Sequence, residues 1–150
     1  MTHGDSTRAI QAVDSPAVAG RPVAPLPVPA ATFHLSPDEE AGDHIYGRYS
    51  NPSWAQLEAA LGQLEGATAA LVFGSGMAAL TAALRALTVP GSVLVVPADG
   101  YYQTRRYATE RLVPLGITVC EVVAGELCDA AERADVVLAE SPTNPGLDVV

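Results

Sequence analysis

The 150-residue chain carries 17 acidic side chains against eight arginines, has no lysine, and bears a formal net charge of −9 with 49% apolar residues. That apolar share excludes wholesale disorder, and a folded chain of this size buries about two-thirds of its unfolded surface. No apolar run reaches the ~20 residues of a spanning helix, which argues against a membrane protein. The acidity, with no basic stripe, argues against nucleic acid.

The first residues show no basic stretch followed by an apolar one, so no secretory signal is read. Cys120 and Cys128 form neither a CxxC pair nor a disulfide framework, and a reducing cytoplasm is the expected compartment. Residues 1–45 read as an extended arm. Five prolines (Pro16, Pro22, Pro25, Pro27, Pro29) favour a polyproline-like path, and Asp38, Glu39, Glu40 and Asp43 form an acidic loop. Such an arm either stays mobile or lies along a neighbour, and composition favours the former.

From residue 46 to residue 150 the pattern is that of a folded domain. Asn51-Pro52 starts a helix, with Ser53 and Gln56 as an alternative capping box. Trp54, Leu57, Leu61 and Leu64 share its inner face, and Gly66 stops it. Residues 69–73 (AALVF) read as a buried strand. Gly74-Ser75-Gly76 then leads into a second helix with Met77, Leu80, Leu84 and Leu87 inward.

Pro90-Gly91 turns the chain into a second strand over 92–96. A third helix is expected over 101–113, ended near Pro114, and a third strand over 117–123. A short helix over 126–133 and a fourth strand over 135–139 complete the series. This alternation predicts an α/β layer with a mostly parallel sheet covered by helices on both faces.

In open α/β sheets ligands bind beyond the carboxyl ends of the strands. Three loops occupy that edge: 74–77, 99–102 and 140–145. Gly76 and Met77 begin a helix after small residues, which suits an anion, but the segment lacks GxGxxG spacing and a P-loop lysine. A ligand-free tight turn is the alternative. Tyr101 or Tyr102 can stack on a planar ligand or simply open a helix. Tyr46 and Arg48 precede the regular region, where Arg48 offers a fork for phosphate or is an exposed loop side chain.

Asn144, between prolines, can bond a ligand oxygen or close an Asx turn, and Glu140 can orient that loop through backbone N–H groups. His3, His34 and His44 have no metal-like spacing, and no metal ligand is assigned. Cys120 and Cys128 read as packing residues rather than nucleophiles.

Five ordered segments together resemble the trans-sulfuration, or Cys/Met-metabolism, family of pyridoxal-phosphate (PLP) enzymes. They are Tyr46-Gly-Arg48, Asn51-Pro-Ser-Trp-Ala-Gln-Leu-Glu58, Phe73-Gly-Ser-Gly-Met-Ala-Ala79, Tyr101-Tyr-Gln-Thr104 and Glu140-Ser-Pro-Thr-Asn-Pro145. Their order and spacing cover roughly residues 7 to 150. The resemblance implies the first part of an aspartate aminotransferase-like, fold type I large domain. It implies that Gly76 and Met77 hold the cofactor phosphate, that Tyr101 stacks on the pyridine ring near the leaving group, and that Asn144 bonds the phenolic oxygen. Tyr46 and Arg48 would reach the phosphate of a second identical subunit, the arm would be an inter-subunit strap, and the full-length form would be a homotetramer.

The loop wording is most similar to bacterial cystathionine γ-lyases, which cleave cystathionine to cysteine, 2-oxobutanoate and ammonia. Cystathionine γ-synthase and methionine γ-lyase share the same motifs, and a non-catalytic module or remnant is the reading of another class. Departures from the family pattern are Ser92 for aspartate, Tyr102 and Gln103 for glycines, and Ser53 for threonine. The family's Schiff-base lysine, aspartate and substrate-binding arginine follow the segment matching Val150. The resemblance therefore implies the front of a larger subunit, inactive by itself.

Overall fold

The computed structural model describes residues 4, 6–7, 18–20, 22–35 and 42–149. Pro16, His3 and the acidic Asp38, Glu39 and Glu40 lie outside the described residues. The chain forms two compact units, Met1–Val72 and Phe73–Val150.

In the first unit, helix α1 spans Pro52–Glu65. Asn51, extended at φ −150°, accepts the Ser53 N–H on its side chain at 2.8 Å, and Pro52 occupies the first turn, where a missing N–H costs nothing. Ser53 does not form the alternative capping box. Its Oγ accepts the Val28 N–H at 2.8 Å instead. The Asn51 amide donates to the carbonyls of Val28 at 2.9 Å and Ala30 at 3.2 Å.

Residues 28–30 of the arm are thus fastened to the start of α1 in their own chain, against the mobile arm that composition favours. Asn51→Ala removes the cap and both carbonyl contacts together. Since a cap is worth ~1 kcal/mol and each added hydrogen bond roughly 0.5 to 1 kcal/mol, a loss of about 2 kcal/mol in urea unfolding is expected, with faster amide exchange at Val28.

The helix ends at Gly66, whose φ of +64° is left-handed, with its N–H on the Gly62 carbonyl. Its apolar stripe is not an inner face: Trp54, Leu57 and Leu61 are exposed and Leu64 is half-buried, while the buried residue of the helix is Gly62. Helical period decides which residues share a face, whereas burial needs a covering element. The strand expected over 69–73 is also absent. Glu58 Oε1 accepts the Val72 N–H at 2.9 Å, and Leu71 is 75% exposed. An apolar run becomes a strand only where a neighbouring backbone pairs with it, and among the described residues none pairs with this one as a strand.

The second unit is a three-stranded parallel sheet in the order β2-β1-β3, with β1 over Val93–Pro97, β2 over Thr118–Val122 and β3 over Val136–Val137. Val95 pairs with Cys120 on one side and Val137 on the other. Side chains of β1 alternate between two faces, as strand geometry requires. Leu94 and Val96 join Leu84, Ala108, Leu112 and Ile117, while Val95 joins Ala124 and Leu127. The central strand is therefore covered on both faces, as the continuous VLVV run implies.

Helix α2 spans Gly76–Leu87 and buries Leu84; Leu80 packs beside it, but Leu87 is exposed. The expected third helix is composite. It begins as α3 over Tyr102–Tyr107, loosens to a π turn over Ala108–Leu112, and tightens to a 3-10 turn over Val113–Leu115. Pro114 has no N–H to continue the ladder, and Gly116 at φ +85° ends the segment. Arg106 Nε donates to Glu110 Oε1 at 2.8 Å across that stretch, and the hydrogen bond and charge of Glu110 raise the arginine pKa.

A 3-10 turn over Ala124–Glu126 leads into α4 over Leu127–Ala131. Cys120 and Cys128 are both exposed, contrary to their reading as packing residues. Cys120 lies on β2, a strand paired on one side alone, whose residues are at most half-buried. No helix among the described residues is long and apolar enough to cross a membrane.

Candidate functional site

Three loops that leave strand ends or open helices meet around one open cavity of about 560 Å³, all within the second unit. The first supplies Ser75, Gly76 and Met77. Ser75 is extended, and its Oγ accepts the Ala78 N–H at 3.1 Å while its carbonyl takes the Ala79 N–H at 3.1 Å. The N–H groups of Gly76 and Met77 have no intrahelical acceptor and lie at the positive end of a 12-residue helix. A Cβ at Gly76 would meet nothing within 4 Å, so the space beside this turn is open to a ligand.

The second loop supplies Tyr101, just before α3, and Thr104 one turn on. Tyr101 is 37% exposed, and its ring meets that of Tyr102 edge-on at 5.3 Å between centres. Tyr102 and Gln103, the departures from the family pattern, bond each other through Gln103 Nε2 and the Tyr102 hydroxyl at 2.8 Å. The backbone here is held from both sides. Asp99 Oδ1 accepts the Ala124 N–H at 3.0 Å, and the Asp99 carbonyl accepts the Asn144 N–H at 3.1 Å.

The third loop supplies Glu140 and Asn144. Its anchor is Thr143, 1% exposed, whose N–H donates to the Asp148 carbonyl at 2.9 Å and whose Oγ1 accepts the Asp148 N–H at 3.0 Å. The Ser141-Pro142 and Asn144-Pro145 peptide bonds are cis. Asn144, set between them, lines the cavity.

Gly76, Met77, Tyr101 and Asn144 are thus brought together. Tyr46 and Arg48 are not among the lining residues and belong to the first unit. There Tyr46 forms an antiparallel bridge with Thr32, and the Arg48 guanidinium lies 5.2 Å from the Tyr46 ring centre. Sequence reasoning missed Thr104, a 3%-exposed residue on the cavity wall; its three-residue spacing from Tyr101 was the available signal. Glu140 reaches beyond its own loop. Its Oε2 accepts the Tyr101 N–H at 2.7 Å.

Helix-start N–H groups suit a phosphate, the Tyr101 face a planar ring, and the Asn144 amide a ring oxygen. These residues fit a phosphate-bearing aromatic cofactor, though no lysine is present to tether one covalently. The sequence profile of the Cys/Met metabolism PLP-dependent enzymes matches residues 6–150. The chain belongs to that family.

A Streptomyces coelicolor protein provisionally named a cystathionine gamma-lyase is 41% identical over 152 residues, covering 97% of this chain and 38% of that protein. Cystathionine gamma-synthase 1 of Arabidopsis thaliana is 41% identical over 110 residues, 70% of this chain and 20% of its own length. The crystal structure of cystathionine gamma synthase from Xanthomonas oryzae pv. oryzae, in complex with aminoacrylate and cysteine, superposes with a TM-score of 0.84 at 27% identity. It covers all of this chain, which spans 40% of that structure.

The chain therefore has the fold of the first part of a PLP-dependent cystathionine synthase or lyase, a parallel sheet with flanking helices. PLP is the family cofactor. The chain spans about two-fifths or less of the length of these relatives.

Proposed function

We propose that this chain forms the phosphate- and ring-binding part of a PLP-dependent carbon–sulfur lyase whose substrate is cystathionine. The convergence of Gly76, Met77, Tyr101 and Asn144 on one cavity carries this reading. The Gly76 and Met77 N–H groups hold the phosphate, and the positive end of α2 favours its charge. Tyr101 would cover one face of the pyridine ring and keep water from it, and its hydroxyl would assist departure of the sulfur. Asn144 orients the ring through its phenolic oxygen.

When bound, PLP supplies the electron sink that γ-elimination needs. Tyr46 and Arg48 act on the phosphate of a second identical subunit, the proline arm is an inter-subunit strap, and the full-length form is a homotetramer. The chemistry also needs a lysine to carry protons, which these 150 residues lack, so the chain alone binds cofactor without turnover. Cystathionine gamma-synthase or methionine gamma-lyase activity is the alternative, supported by relatives of both names in the same identity range.

Equilibrium dialysis of the purified chain tests the site. PLP should bind at least about tenfold more tightly than pyridoxal, because the phosphate is the main handle. Tyr101→Ala should weaken PLP by about three- to tenfold, the equivalent of an aromatic stacking contact. The cystathionine assay should show no 2-oxobutanoate. Equal binding of pyridoxal and PLP would sink the phosphate assignment, and 2-oxobutanoate release would sink the inactive-chain reading. Reading the coding frame past codon 150, then assaying its product with cystathionine, an O-acyl-homoserine and methionine, separates lyase from synthase.

A further inference from the structure

We infer that Glu140 is a positioning residue for Tyr101, a latch that sets how the aromatic ring stands over the cavity. The inference rests on the proposed cofactor site and adds a residue to it. Glu140 lies 39 positions beyond Tyr101, yet its Oε2 accepts the Tyr101 N–H at 2.7 Å, a short charge-assisted bond. Tyr101 has an extended ψ of 121° and makes no side-chain cap; α3 engages its backbone at the carbonyl, which accepts the Thr104 N–H at 3.0 Å, and Glu140 holds the N–H.

The approach of the carboxylate is possible because residue 100 is glycine. A Cβ there would stand 2.7 Å from Glu140 Oε2 and 2.6 Å from Pro97 Cγ. A second link runs the opposite way, from the Asn144 N–H to the Asp99 carbonyl at 3.1 Å. The two loops are therefore clipped at both ends of the 99–101 segment. The Tyr101 and Asn144 backbones are thereby held in one frame. The phosphate turn at Gly76 and Met77 shares none of these bonds, so ring placement and phosphate holding are separable.

The test compares Glu140→Met, which keeps the side-chain length and removes the acceptor, with Glu140→Gln, which keeps an acceptor, and with Glu140→Ala. Amide exchange at Tyr101 is followed by NMR, and affinities for PLP and inorganic phosphate are measured on the same proteins. Expected are a tenfold or greater acceleration of Tyr101 exchange and a three- to tenfold loss of PLP affinity in the Met and Ala variants. Phosphate affinity should stay within twofold, and Glu140→Gln should restore both values.

A general structural role would lower phosphate affinity in parallel and would not be rescued by glutamine. Unchanged Tyr101 exchange in Glu140→Met overturns the latch. If the unaltered chain binds no PLP, the proposed cofactor site fails, and the latch is still decided by the exchange rates.

Discussion

Leu94→Ala is expected to lower the stability of the chain by about 2 to 5 kcal/mol, the range for truncating a fully enclosed leucine. Leu94 is 0% exposed in the middle strand of the sheet. It pairs with Val119 on one side and Val136 on the other, and its side chain enters the cluster of Leu84, Leu112 and Ile117. Both neighbouring strands and helix α2 limit collapse into the hole, which puts the cost toward the upper half of that range. Urea unfolding monitored by circular dichroism should show a lower midpoint with an unchanged slope. Leu71→Ala, at a site 75% exposed, should change stability by no more than about 0.5 kcal/mol. Equal effects at both sites would mean that the core is elsewhere.

Gly100→Ala is expected to cost about 1 to 3 kcal/mol, although glycine-to-alanine changes at compatible sites are stabilising by roughly 0.4 to 1 kcal/mol. The new methyl would collide with the Pro97 ring at 2.6 Å and with Glu140 Oε2 at 2.7 Å. Pro97 is a fully buried ring at the end of β1 and cannot swing aside. Glu140 can move only by releasing the Tyr101 N–H. The change therefore strains the core or opens the site, and both lower the midpoint of unfolding. Gly125 is the control: a Cβ there meets nothing within 4 Å, so Gly125→Ala should be neutral or stabilising. A stable Gly100→Ala protein with Tyr101 exchange unchanged would contradict the close approach.

Much of the local structure was legible because it depends on neighbours in the chain. Asn51 caps α1, Gly66 stops it with left-handed backbone, and the VLVV run becomes the buried middle strand. Tyr101 and Asn144 follow strands, which placed them on one rim before any packing was known. Partner choice over long separations was not legible. Ser53 could cap its own helix, yet it takes the Val28 N–H; Glu58 takes the Val72 N–H, and the expected strand over 69–73 does not form. Two exposed cysteines and an exposed α1 stripe show the same limit, since amphipathic period says nothing about what lies opposite.

The starting arithmetic of 150 residues, eight arginines and no lysine already showed that these residues offer no side-chain amine for a covalent cofactor link. Sequence alone determined the family segments, the alternation of helix and strand, and the absence of a covalent anchor for the cofactor. Those properties reside in residue identity and in spacings of a few residues. Tertiary structure decided that the loops at 75–77, 99–104 and 140–144 share one cavity, and that Glu140 is committed to Tyr101. Each of those contacts joins groups 22 to 69 residues apart. Short-range periodicity and capping carry no information at that distance, where parallel strand register and close approach over Gly100 select the partner.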